Sequence, residues 1–475
     1  MTVIGVETLA GETLRIDQSD LNVLTANMRG SLLLPGAPGY DDARTIWNGM
    51  IDRRPAVIAR CIGAADVMAC VAFARERGIR ICIKGGGHNI AGLAVSEGAM
   101  MIDMSLMRGV WVDPKRRIAH AQAGCTLGDV DRDTQLHGLA AVLGFVSNTG
   151  ITGLTLGGGF GYLTRRYGWT SDNVRSFELI TADGRLRRVS DAEDPDLFWG
   201  LRGGGGNFGV VTGIEYDLYD VGPQIMGGAI AWRAEHAAEV LEMFREVNEN
   251  SPPEHVCVAA IRPAPPAPWL PKEIHGKLVV ALFVCDTGPI EEAEKRVNAI
   301  KSFGSPLGDI VQKRLYCSQQ NLLDATQPNG RRYYWKSEYL PGVEDGLLEK
   351  FVNHGERIVS PHSAILLFPL HGALSNLPEE HSAVGNRETG MVFNVAGSWE
   401  KPEDDKANIA WARNAWKDMR EFSTGGTYIN FLNAEEGDDR IRDAYGKNYD
   451  RLVEIKTKCD PQNIFRANKN IVPKS

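Results

Sequence analysis

Ile79-Arg80-Ile81-Cys82-Ile83-Lys84-Gly85-Gly86-Gly87-His88-Asn89 is the stretch on which the fold turns. Ile79, Ile81 and Ile83 alternate as a strand, and that strand runs straight into three glycines and an imidazole. Upstream, Val67, Cys70, Val71 and Ala74 recur at helical spacing and Gly78 stops the helix. Backbone stripped of side chains can approach a ligand closely, and consecutive amides there can converge on an anion.

Outward from that stretch, Met101-Ile102-Asp103 and Ile118 to Ala123 read as further strands, with a turn at Asp113-Pro114 between them. The 475 residues suffice for two or three domains and a sizeable core. A formal net charge of -8 with no basic cluster argues against nucleic acid or an anionic membrane as partner. Met1 to Glu7 show no basic segment followed by an apolar run, so no secretory signal is expected, and no apolar stretch is long enough to cross a membrane. The eight cysteines are scattered singly, without a CxxC pair. Zinc sites and a disulfide framework are therefore not expected, and a reducing cytoplasm is the expected location. Oligomeric state does not follow from the sequence.

Glycines cluster at Gly85-Gly87, Gly157-Gly159 with Gly161, and Gly203-Gly206 with Gly209, then thin out beyond residue 220. After Val221 helical stretches (Ala234 to Asn248, Ile290 to Phe303, Ala407 to Phe422) separate strand-like ones (Val256 to Ile261, Lys277 to Cys285, Met391 to Gly397). Gly204 to Gly209 satisfies GxGxxG literally. The dinucleotide fingerprint needs a strand before it and a helix after it, and here the order is reversed. Thr149 to Gly161 alternates threonine hydroxyls with glycine turns and can wrap a pyrophosphate without a helix dipole. Packing alone explains one such run, but three clusters, one carrying a histidine, point to a large phosphate-bearing cofactor. His88 by itself reads equally as a ligand, a base, an attachment point or a core histidine. No second His, Cys or carboxylate lies at metal-ligand spacing near it.

These residues, taken in order, resemble the berberine-bridge-enzyme-like FAD-linked oxidases of the vanillyl-alcohol-oxidase (PCMH-type) superfamily. The resemblance is carried by Gly85-Asn89, Gly150-Gly161, Arg202-Val211 and a tail signature. That tail comprises Asn448-Leu452, Lys456, Asp460-Phe465 and Asn470-Ile471. It implies an α+β fold in which a two-part FAD-binding domain (residues 1–220 and 425–475) encloses a substrate domain (221–424) with an antiparallel sheet backed by helices. It also implies FAD joined through its 8α-methyl carbon to His88. The cofactor-contacting positions are then Lys84, Gly85, Gly86, Gly87, Asn89 and Gly92 around the histidine. From the second run come Val146, Thr149, Gly150, Thr152, Gly153 and Leu154, followed by Gly157, Gly158, Gly159, Phe160 and Gly161. Gly209, Val210, Tyr428, Asn430 and Asn470 complete the set. Many members attach FAD a second time through a cysteine; the matching position here is Val146, so no cysteinyl link is expected, as in the 6-hydroxynicotine-oxidase-like branch. Cys125 is too distant in sequence to replace it.

The implied activity is transfer of a hydride from an alcohol, amine or activated C–H, with O2 as acceptor giving H2O2, and the aromatic residues around Tyr333 and Trp335 tilt the substrate toward an aromatic or alicyclic natural product rather than a sugar. A dehydrogenase, or a flavin-N5-oxide oxygenase, is the alternative on the same scaffold, since Val146, Thr149 and Leu154 share the spacing of an oxygen pocket in one such enzyme. A non-catalytic flavin or small-ligand binder is a third reading. Tyr428 and Asn430 match a family segment bordering the flavin. Tyr334 and Lys336 alternate so that both face one side of a strand, and a lysine there would lower the tyrosine pKa; core aromatics are the alternative. Glu338 and His371 are weaker candidates for a proton acceptor.

Overall fold

A computed structural model describes residues 3–474. The Ala64–Arg77 helix ends where expected, on Gly78 at φ 62°, whose N–H caps the carbonyls of Ala74 and Arg75. The following strand, Ile81–Lys84, pairs in parallel with Met100–Asp103, which pairs in parallel with Val57–Arg60. Ser31–Leu33 closes this four-stranded sheet antiparallel at its edge. A second sheet of five antiparallel strands runs Leu186–Val189, Val174–Ile180, Val210–Asp217, Ile118–Gln122, Val110–Asp113. Around the GxGxxG stretch the order is helix Pro195–Leu201, then strand Val210–Asp217, the reverse of a dinucleotide fold.

The segment from Thr149 to Gly161 differs from the expectation of turns alone. Ile151–Leu156 is a short helix, with the Thr155 hydroxyl donating to the Ile151 carbonyl at 2.7 Å and the Thr152 hydroxyl to Ala123 O at 2.8 Å. Two side-chain hydroxyls and buried Ile151 and Leu156 outweigh the helix cost of Gly153, which is roughly 1 kcal/mol.

Most of the chain between the two family-like regions forms one eight-stranded antiparallel sheet. Its order is Gly308–Asp309, Gln224–Arg233, Leu278–Asp286, His255–Pro263, Ala364–Pro369, Met391–Trp399, Arg332–Leu340, with Gln312–Leu315 also on the Gln224 strand. One face is covered by the helices Ala237–Asn250, Ile290–Lys301, Asp345–Gly355 and Asp405–Met419. The Met391–Trp399 strand is buried along its whole length. Met391, Phe393 and Val395 join the helix-side core, whereas Asn394, Ala396 and Ser398 look into a cavity on the other face. A strand covered on both sides must be buried throughout, and the two faces divide by the period of two. Among the described residues no helix is long and apolar enough to cross a membrane, and no group of His, Cys, Asp and Glu could hold a metal ion.

Candidate active site

The cavity has a volume of about 340 Å³ and lies between the glycine clusters and the open face of the large sheet. Its floor is made by two glycine runs in backbone contact. A Cβ on Gly86 would stand 2.5 Å from Gly150 Cα, and one on Gly150 would stand 2.5 Å from Gly86 N. Only glycine at both positions permits this approach, which brings His88 and the Gly150 segment to one space. His88 lines the cavity with its imidazole stacked on Trp47 at 4.3 Å and 16°. Trp47 is stacked in turn on Tyr333 at 3.7 Å, and its indole N–H donates to Gln327 O at 3.1 Å. Among the described residues the buried His88 Nε2 has no well-formed hydrogen bond, although the Asn148 amide stands close enough to the ring to oppose the effect of burial slightly. Burial pushes the His88 pKa down to about 4, so the imidazole is neutral at ordinary pH. A neutral, plane-locked imidazole nitrogen fits bonding to a carbon electrophile or accepting a hydrogen bond, not pairing with an anion.

Of the positions expected around the cofactor, Gly85, Gly86, Gly87, Asn89, Val146, Thr149, Gly150, Thr152, Gly153, Leu154, Gly157, Phe160, Gly209, Val210, Tyr428 and Asn430 all reach this cavity. Others do not. Lys84 Nζ donates to Ala43 O and Thr45 O at 2.6 and 2.9 Å, anchoring that segment instead. Gly92 packs its bare Cα on Ile51, where a Cβ would come within 2.7 Å. Gly158 and Gly159 adopt φ of 101° and 81°, and Gly161 abuts the Leu143 carbonyl, so their glycines serve turns and packing. Asn470 lies just past the lining residues Asn468 and Lys469, its Oδ1 buried without a partner.

Tyr428 and Asn430 are brought in by the C-terminal return. The Tyr428 oxygen accepts from Gly159 N at 3.0 Å and from Asn430 Nδ2 at 2.9 Å. Asn430 Nδ2 also reaches Leu154 O at 3.2 Å, and a Cβ on Gly157 would strike the Asn430 amide. Burial raises the Tyr428 pKa well above that of a free phenol, partly offset by the two donors. The group stands as a neutral phenol fixed by two N–H donors, with its proton left to donate.

Tyr334 and Lys336 share a face, as the alternation predicts, but it is the face turned away from the cavity. The Tyr334 hydroxyl donates to Glu435 and accepts from Arg413, and Lys336 Nζ pairs with Glu436 at 2.7 Å beneath the Trp416 ring. Burial raises the Tyr334 pKa, with Glu435 adding to the effect, rather than lowering it. Glu338 is buried among Arg440, Trp416 and Ser423 on the same side. His371 is bound to Asn248 O at 2.8 Å and is also remote from the cavity. The residue of this strand that enters the cavity is Trp335. Arg262, His362, Asn394 and Ser398 line the sheet wall and were not singled out from the sequence. Period two along Val256 to Arg262 and Met391 to Ser398 puts Arg262, Asn394 and Ser398 on one face once that face is known, whereas His362 precedes its strand and follows from no alternation.

Two family models match the chain. The FAD binding domain covers residues 55–190, and the berberine and berberine-like model covers 427–472. The (R)-6-hydroxynicotine oxidase of Paenarthrobacter nicotinovorans is 28% identical over 94% of this chain and 97% of its own. The chain carries an FAD binding domain and a berberine-like segment and is similar throughout to FAD-linked oxidoreductases. A solved structure of 6-hydroxy-D-nicotine oxidase from Arthrobacter nicotinovorans matches with a TM-score of 0.81 at 27% identity, covering 94% of this chain and 98% of that one. Berberine bridge enzyme from Eschscholzia californica shares the fold, with a TM-score of 0.85 at 20% identity over 96% and 99%. The FAD that such a domain binds meets fitting residues here: a glycine floor a Cβ would fill, and a buried imidazole nitrogen.

Proposed function

We propose that this oxidoreductase is an oxidase that holds FAD covalently through His88 and oxidises a small aromatic or alicyclic substrate. One observation carries the covalent reading: His88 Nε2 is buried without a well-formed hydrogen bond in the glycine-floored cavity. When bound, FAD supplies the acceptor of a hydride from substrate, with O2 as the final oxidant and H2O2 as product. The chain's own contributions follow from geometry. Trp47 holds the imidazole in one plane, and Tyr333 backs it. Tyr428, fixed by Gly159 and Asn430, offers an O–H to a substrate heteroatom. Ala260, Ala364 and Ala396 keep the sheet wall low, so a ring can lie between wall and floor with water excluded. Residues 1–220 and 425–475 are assigned to the cofactor and 221–424 to the substrate. Val146 occupies the position of a second covalent attachment in many relatives, so a single link is proposed.

Acid precipitation tests the link. Yellow colour should stay with the denatured protein, and the peptide containing His88 should carry the added mass of FAD. His88→Ala should release its flavin on denaturation; a wild-type pellet without colour removes the proposal. Val146, Thr149 and Leu154 all reach the cavity, which favours oxygenase chemistry as the second reading. Stopped-flow mixing of reduced enzyme with air separates the two: fast reoxidation with stoichiometric H2O2 supports the oxidase.

A further inference from the structure

The lining of the cavity contains no aspartate and no glutamate, although acidic residues outnumber basic ones in the chain as a whole. Its charged side chains are Arg262 and Lys469. Lys469 is tied by Nζ to the Asn433 carbonyl near the glycine-rich side. Arg262 stands on the sheet wall and is in no ion pair among the described residues; its guanidinium makes one hydrogen bond, from Nε to Pro263 O at 3.2 Å. Burial, then the neighbouring Arg331, pushes the Arg262 pKa down to about 10, which still leaves it charged at neutral pH. Arg331 too is in no ion pair among the described residues, and Glu400, bound to the neighbouring His362 at 3.0 Å, is mostly solvated. Burial keeps the His362 pKa below its ordinary value.

Strand pairing shows what Arg262 faces. Trp335 pairs with Ala396, Ala396 with Ala364, and the Ile261–Ile365 pair puts Arg262 beside Ala364. Across the wall this gives one row: an indole, two methyl groups and a guanidinium. With strands about 4.8 Å apart, the two ends are roughly 14 Å from each other. Ser398, two residues along from Ala396 on the same face, stands opposite Tyr333 on the neighbouring strand. A half-buried cation without a counter-ion leaves part of its desolvation cost uncompensated unless something else supplies the charge, and a guanidinium fork matches a carboxylate in two parallel hydrogen bonds.

We propose that the substrate carries a carboxylate, seated on Arg262, while its ring lies over the two alanines toward Trp335. The proposal rests on the oxidase reading for the identity of the cavity as the substrate site. It narrows that reading, because an ammonium substrate would meet Arg262 in a cavity without an acid to balance it.

The test uses the FAD-loaded enzyme with 3-phenylpropionate and its neutral isostere 3-phenylpropionamide, followed by the flavin difference spectrum and tryptophan fluorescence without turnover. The acid should bind at least tenfold more tightly than the amide. Arg262→Gln should erase that preference with flavin content and melting temperature unchanged, and Arg262→Lys should keep part of it. Equal affinities, failure of both probes in the millimolar range, tighter binding of phenethylamine, or a preference that survives Arg262→Gln each overturn the proposal. Slow reoxidation with the acid preference intact would remove the oxidase reading alone, and fast reoxidation without the preference would remove this inference alone.

Discussion

Gly86 and Gly150 lie backbone to backbone, and no other residue type fits at either place. Gly86→Ala should cost roughly 1–3 kcal/mol through overpacking, because the atom struck is main chain and cannot swing aside. The same methyl group would lift the His88 turn off the Gly150 segment. Absorbance at 450 nm relative to 280 nm should therefore fall further than the melting temperature suggests. Tyr428 makes a second prediction at this scale. Tyr428→Phe leaves the buried Gly159 N–H without its acceptor, a loss of roughly 1–3 kcal/mol. If the phenol also serves the substrate, anaerobic flavin reduction should slow by about 10²-fold or more, whereas a purely structural role would leave that rate near wild type.

At the scale of elements, the Arg332–Leu340 strand shows what a sequence discloses and what it withholds. Alternation puts Tyr334, Lys336 and Glu338 together and Tyr333, Trp335 and Ser337 together. It does not say which set meets the cofactor. That is settled by the Asp405–Met419 helix, about seventy residues later, whose Trp416 covers Lys336 and whose Arg413 bonds Tyr334. Tyr334→Phe should accordingly leave turnover unchanged while lowering stability by about 1 kcal/mol, read as a melting shift. The Gly85–Asn89 turn was legible because strand, glycines and histidine are contiguous, and Gly78 announces the end of its helix. The Ile151–Leu156 helix was hidden by Gly153 and by threonines, whose stabilising partners, Ala123 O and Tyr216 Oη, lie far off in sequence. Arg262 escaped notice for a similar reason: the lack of a counter-ion is a property of the assembled wall, and no local pattern records it.

Across the whole molecule, contacts between distant segments bind the two regions flanking the cavity. Asp131 is fully buried and receives the Gln320 amide at 3.1 Å, and Gln320 also reaches Gly144 O. Burial raises the Asp131 carboxyl to about 7, against an ordinary value of 3.8. Below that ordinary value the group is protonated whether folded or not, and the fold keeps its full stability. As pH climbs toward 7 the unfolded chain ionises first, and above it the native state must bury the charge, so stability falls with rising pH. Asp131→Asn should remove this slope, raising the melting temperature by several degrees at pH 8 and little at pH 4.

The C-terminal return has a bearing on how the enzyme is made. Tyr428 to Phe431 and Phe465 to Lys469 supply one wall of the cavity, and Lys456 latches to Asn207 O at 2.8 Å and Phe465 O at 3.0 Å. These residues follow the glycine floor in chain order, so a growing chain exposes that floor with one side open. The cavity therefore gains its last wall only when residue 469 has been made and folded back onto the floor, and any shorter stretch of the chain leaves the glycine runs facing solvent.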